Sequence, residues 1–179
     1  MRATGIVRRI DDLGRVVIPK EIRRTLRIKE GDPLEIFTAK DGEVILKKYS
    51  PIGELNDFSQ EYAETLAENT GLGVVITDLD SIVSVAKLSK KEYKDRSISR
   101  ELEDLIENRV SILAKDTRVV PIYREDNNEY KKQVIVPIIS TSGDAIGAVI
   151  FVNKEKEEIE ESDEKLAKVA AGFLGKQIQ

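Results

Sequence analysis

Eleven residues, Gly14-Arg15-Val16-Val17-Ile18-Pro19-Lys20-Glu21-Ile22-Arg23-Arg24, constrain this chain more than any other stretch. Val16, Val17 and Ile18 are consecutive and β-branched, so they read as a short strand with both faces covered. Pro19 ends that strand and suits the start of a helix, where its missing N–H is not needed. Upstream, Thr4 to Ile10 reads as another strand, with Arg8 and Arg9 set among Ile6, Val7 and Ile10. Asp11-Asp12-Leu13-Gly14 between them is turn chemistry, with Gly14 free to take a positive φ. The helix after Pro19 is expected to run to about Leu26. Lys20, Arg23, Arg24 and Arg27 fall at i, i+3, i+4 and i+7 on one face, and Ile22, Thr25 and Leu26 on another turned inward. Arg23 and Arg24 are expected to face outward. A solvated basic face is the ordinary explanation of such a stripe. Here like charges at helical spacing repel without interleaved acids. An anionic partner relieves that repulsion, and phosphate suits the planar fork of arginine.

Lys29-Glu30-Gly31-Asp32 then turns the chain. Leu34 to Ala39 and Glu43 to Tyr49 read as two strands around Asp41-Gly42, a type I′ hairpin signal. Strand, strand, helix and hairpin within some fifty residues, without disulfide or metal, leave a single copy with a marginal core. Pairing two copies covers the apolar strands and brings two basic clusters onto one surface.

The chain contains no Cys and no His. That removes disulfides, thiolate nucleophiles and zinc–sulfur sites, and with them every His-based triad. No arrangement of the remaining carboxylates, Lys, Tyr and hydroxyls suggests catalysis, so no enzyme, cofactor or metal is expected. The net charge of −4 conceals a split: residues 1–50 carry twelve Lys/Arg against eight Asp/Glu, and residues 51–179 seventeen against twenty-five. Such asymmetry suits a nucleic-acid-binding module joined to an acidic partner domain. No apolar run approaches the ~18 residues a membrane span needs. The start shows no apolar signal-peptide segment, so a cytoplasmic protein is expected.

Ser50-Pro51-Ile52-Gly53 interrupts both patterns, and residues 51–54 read as a linker. Beyond it, helices are expected over Leu55 to Asn69, Ser99 to Arg109 and Glu160 to Gln177. Strands are expected over Gly73 to Thr77, Ile82 to Val85, Val119 to Tyr123, Gln133 to Ile139 and Ala145 to Val152. This is an α+β sheet domain flanked by helices. Leu55, Phe58, Tyr62, Ala63 and Leu66 form one helical stripe, and Leu166, Val169, Ala170, Phe173 and Leu174 another. Both suit helix–helix association, which would join dimers into a tetramer.

Gly5-x-x-Arg8, Asp11, Gly14 to Pro19 and Ile22-Arg23-Arg24-Thr25-Leu26 resemble the AbrB-type swapped-hairpin DNA-binding family, over residues 1 to about 50. The resemblance implies two chains interleaved into one β-barrel that binds double-stranded DNA. By position it puts the contacts on Arg8, Arg9, Arg15, Arg23 and Arg24; the helical wheel adds Lys20 and Arg27. Val74 to Asp80, Gly143 to Ile150 and Ile159-x-x-x-Asp163-x-x-Leu166 resemble GAF domains, which implies small-molecule sensing with the ligand unidentified. Asn153-Lys154, Ile159 and Asp163-Glu164 partly echo a cyclic-nucleotide pattern, but Ile159 replaces its Phe. The expected division is residues 1–50 for DNA binding, 51–54 as linker and 55–179 for sensing or oligomerisation. This order is similar to that of sporulation regulators of endospore-forming bacteria. Antitoxins use the same barrel, so an antitoxin-like interaction module with a flexible acidic tail is the alternative.

Overall fold

The computed structural model describes residues 5–127, 130–153 and 158–177. The chain divides into two compact units, Met1–Tyr49 and Ser50–Gln179.

In the first unit, helix α1 (Lys20–Leu26) follows Pro19, whose carbonyl accepts the first helical bond from Arg23 N at 2.9 Å. Pro19 is therefore the N-cap. Strands β1 (Leu34–Thr38) and β2 (Val44–Lys48) pair antiparallel, with Ile36 opposite Leu46. The loop between them departs from the expected type I′ turn. Gly42 N bonds Ala39 O at 3.1 Å, and Gly42 has a φ of +78° while Asp41 stays at negative φ. That is a type I turn followed by a left-handed glycine, because a type I′ turn requires positive φ at both central residues. The strands expected over residues 4–10 and 15–18 do not form ladders within one chain. Residues 5–10 and 15–18 carry no strand pairing, and Met1 to Thr4 lie outside the described residues. Strand assignment needs a hydrogen-bonded neighbour, which these segments lack in the single chain.

The second unit begins with helix α2 (Pro51–Glu54) where a linker was expected. Ser50 Oγ accepts from Gly53 N at 3.0 Å and donates to Asp78 Oδ2 at 2.7 Å, and Ile52 is fully buried. A serine N-cap and proline in the first turn are sufficient to start the helix. Helix α3 (Asn56–Thr70) precedes β3 (Gly73–Thr77) and β4 (Ile82–Ala86). Short α4 (Lys90–Tyr93) and α5 (Arg100–Glu107) lead through a long irregular segment to β5 (Lys132–Ile139), β6 (Ala145–Asn153) and α6 (Glu161–Gln177). The four strands form an antiparallel sheet in the order β4-β3-β6-β5.

The sheet is apolar on both faces. Val74, Ile76, Val134, Val136, Val149 and Phe151 face Ala63, Ala67, Ala167, Ala170 and Leu174 of α3 and α6. The alternate residues Val75, Ile135, Ala148 and Ile150 face Leu102, Ile106, Ile122 and three tyrosines. Period-two alternation thus serves two cores, which is why the strands read as continuous apolar runs. Gly147 allows β6 to lie against β3: a Cβ there would stand 2.0 Å from Thr77 O.

The strand expected over Val119 to Tyr123 is absent. Its Val120 N and O are held instead by the Gln133 side-chain amide, at 2.8 Å each, and only an isolated bridge joins Ile98 to Tyr123. The helical stripes also divide. Their alanines pack on the sheet, while Phe58, Leu166, Val169 and Phe173 stay exposed. Phe58, Tyr62 and Phe173 contact one another with centroids 5.6–5.9 Å apart.

Candidate nucleic-acid interface

The basic unit is built around Asp11. Its Oδ1 accepts from Leu13 N at 3.0 Å and Arg15 N at 2.7 Å, and its Oδ2 from Arg15 Nε at 2.8 Å. Asp11 N and Gly14 N close the turn on Arg15 O and Asp11 O. These bonds, led by the backbone N–H of Arg15, hold the Asp11 carboxyl below the usual aspartate range. Arg15 is thereby oriented yet remains 70% exposed. Residue pattern alone pointed to a turn here. The aspartate's role in aiming Arg15 became visible only with the hydrogen bonds in place.

Arg8 and Arg9 are exposed on the extended segment before the turn, and Lys20 and Arg24 on α1. Two expected members of the stripe behave differently. Arg23 is half-buried, and its Nε is enclosed without a hydrogen-bond partner. It does not simply face outward, because at i+3 from Lys20 it rotates toward the flank of the short helix. Arg27 leaves the stripe altogether: it is the C-cap, at a left-handed φ of +55°, with its N–H on Arg23 O. Ending the helix at Leu26 takes the i+7 position off the helical face. Beyond it, Asp32 Oδ2 accepts from Lys29 N at 2.8 Å and lies 3.4 Å from Lys48 Nζ, tying the helix exit to β2.

The same unit has almost no interior. Among residues 5–49 no Val, Ile, Leu or Phe side chain is buried. Val7, Val17 and Ile10 are 89%, 70% and 68% exposed. Ile22 is half-buried and Leu26 exposed, so the apolar face of α1 is not covered within one chain.

In the second unit the residues of the cyclic-nucleotide echo have structural tasks. Asp163 Oδ2 accepts from Glu160 N at 3.0 Å at the start of α6, and Ile159 is buried in the core. Glu164 accepts from Ala114 N at 3.1 Å and from Lys168 Nζ. Those bonds, the lysine first, hold its carboxyl below the usual glutamate range. Lys154 lies outside the described residues. On the opposite face Tyr93 and Tyr130 share a 2.9 Å hydrogen bond, and Tyr130 donates to Asp126 at 2.7 Å. Burial pushes both phenols well above their ordinary value. No helix among the described residues is long and apolar enough to cross a membrane.

Comparison with known proteins joins these observations. Residues 7–54 match the family described as antidote-toxin recognition MazE, bacterial antitoxin. Residues 54–179 match the family described as stage V sporulation protein T C-terminal, transcription factor. The transition state regulatory protein AbrB of Bacillus subtilis is 56% identical over 63 residues, covering 32% of this chain and 65% of that protein. The second unit superposes on the cofactor-binding GAF domain of the nutrient sensor CodY from Clostridium difficile. That match has a TM-score of 0.52 and 13% identity, covers 66% of this chain and 82% of the other, and concerns the fold alone.

The class is a DNA-binding transcription regulator of α+β fold, with an AbrB-like first unit and a GAF-like second. Stage V sporulation protein T of Bacillus subtilis is 51% identical over 179 residues, covering 100% of this chain and 99% of that protein. The chain belongs to the stage V sporulation protein T family of transcription factors.

Proposed function

We propose that residues 1–50 are the DNA-binding domain of this regulator and that two copies interleave into a swapped-hairpin barrel. One observation carries this reading: residues 5–49 expose their apolar side chains together with the cations Arg8, Arg9, Arg15, Lys20 and Arg24. A second copy covers the apolar set and leaves the cations facing DNA phosphates. The enclosed Nε of Arg23 gains a partner at that interface or at a phosphate. Phosphate contacts supply affinity, and part of the sequence preference comes from DNA shape.

Residues 55–179 act as the sensing and oligomerising domain, without catalysis, in the cytoplasm. The exposed Phe58, Leu166, Val169 and Phe173 of α3 and α6 join dimers into a tetramer. The GAF-like fold supports small-molecule sensing, which native mass spectrometry of freshly purified protein reads together with the subunit count. The antitoxin alternative needs a flexible acidic tail. Residues 50–179 instead carry a sheet with a core on each face.

The test is the double variant Arg8→Ala, Arg24→Ala in the full chain. It should weaken binding to every duplex sequence and lower the slope of log affinity against log salt by about 0.9 per lost phosphate contact. Unchanged affinity with the dimer intact defeats the reading.

A further inference from the structure

The second unit contains a cationic surface that the first unit's DNA grip does not use. From residue 51 to residue 86 the chain has no Lys or Arg at all. Six cations then fall within fourteen residues: Lys87, Lys90, Lys91, Lys94, Arg96 and Arg100, against Glu92 and Asp95. The balance of six against two is +4, equal to that of the whole first fifty residues, in a half whose total is −8.

The fold holds this segment on edge strand β4. Ile82 N bonds Arg96 O at 2.9 Å, Asp95 N bonds Ile82 O at 3.0 Å, and Ser81 pairs with Ser97. Arg124 N bonds Ser97 O at 3.0 Å, which brings a seventh cation alongside. An open cleft of about 370 Å³ lies between Arg100 and Arg124, and Glu101, Glu125 and Asp126 line it as well.

Nearby carboxylates are partly occupied. Glu64 pairs with Lys90 at 3.0 Å, Glu92 accepts from Tyr123 OH at 3.1 Å, and Asp126 accepts from Ile122 N and Tyr130 OH. Asp95, Glu101 and Glu125 remain exposed. Among the cations, Lys87 donates to Gly71 O and Arg96 lies over the Tyr123 ring. Lys91, Lys94, Arg100 and Arg124 have no side-chain partner among the described residues.

We infer that this edge is a second contact for the phosphate backbone of duplex DNA. The inference rests on the reading of the first unit as the primary DNA grip. The chemistry favours phosphate over a protein partner, because the exposed side chains between the cations are polar, Ser89 and Ser97 with the single carboxylate Asp95. Tyr93 and Ile98 are buried beneath them, so the patch lacks the apolar centre a protein interface requires. Backbone contacts carry affinity without sequence information, so this edge lengthens the DNA footprint and leaves the preferred sequence unchanged.

The experiment uses full-length protein in which Lys91, Lys94, Arg100 and Arg124 are all changed to Gln, and a control carrying K91R, K94R, R100K and R124K. Binding is titrated over a salt series on a short duplex and on one several helical turns longer. The neutral variant should lose tenfold or more in affinity on the long duplex. Its salt slope there should fall by about 0.9 for each contact removed. The short duplex should be unaffected, and the charge-preserving control should bind like the wild type. Unchanged long-duplex affinity and slope in the neutral variant overturn the inference, as does a change in oligomeric mass without any change in DNA binding. Arg8→Ala, Arg24→Ala tested in parallel separates the two readings, since failure of the primary grip leaves that double variant unaffected on both duplexes.

Discussion

The two units of this chain solve the burial problem in opposite ways. The second stacks an antiparallel sheet between two apolar layers, with Phe151, Ile135 and Ile150 wholly enclosed. The first orders a hairpin, a helix and a pinned turn, yet leaves Val7, Ile10 and Val17 at its surface. A fold whose apolar residues meet within one chain is stable at any protein concentration. A fold that leaves them outside gains its stability on association, and therefore by mass action. The difference also separates roles. On the proposed reading, the self-sufficient unit carries sensing, while the dependent unit ties DNA binding to subunit pairing.

The largest expected effect lies in the self-sufficient unit. Phe151→Ala opens a cavity in the layer between the sheet and α3/α6 and should cost about 3–5 kcal/mol. Chemical unfolding monitored by circular dichroism, at protein concentrations low enough to separate the proposed tetramer, should still show that loss. Unfolding of residues 50–179 on dilution alone would break the contrast.

Next comes Val17→Asp. Within one chain the site is open to water and the change should cost little. In a paired barrel it buries a carboxylate, costing roughly 2 kcal/mol or more per chain. Sedimentation should then show loss of the amino-terminal dimer and of DNA binding, with the melting of residues 50–179 unchanged. Retained pairing would show that the exposed apolar surface has another use.

The smallest effect is at Glu164, which ties α6 to Ala114. Its carboxyl titrates below the ordinary glutamate value of 4.5. A carboxylate lowered in the folded state contributes stability above its unfolded pKa and loses it as pH falls through the lower, folded value. Glu164→Gln should therefore flatten the acid limb of the second unit's stability curve in that window and leave neutral-pH DNA binding unchanged. An acid limb identical to wild type would mean that the Ala114 and Lys168 contacts add no pH-dependent stability.

Local chemistry made much of the fold legible. Pro19 marked the start of α1, β3 and β5 announced themselves as apolar runs, and the absence of His and Cys narrowed the function. Of the cation stripe Lys20, Arg23, Arg24 and Arg27, Lys20 and Arg24 stand exposed, whereas Arg23, expected to face outward, is half-buried. Arg27 leaves the stripe because the left-handed cap ends the helix at Leu26. Val119 to Tyr123 misled for a related reason. β-branched residues signal extended backbone, but a strand also needs a neighbouring strand, and here Gln133 supplies the hydrogen bonds instead. The stripes on α3 and α6 were visible, but their division into sheet-facing alanines and outward aromatics was not.

The amino-acid sequence by itself determined the main helices and the apolar strands of the second unit, where the charges change sign and that His- and Cys-based chemistries are closed to this chain. Those properties depend on neighbours a few residues apart. Only the tertiary structure decided that Asp11 aims Arg15, that Ser50 caps α2 against Asp78, and that Arg124 joins the cations of residues 87–100. Each arises from hydrogen-bond geometry, and those linking distant segments exist only once the sheet sets them side by side.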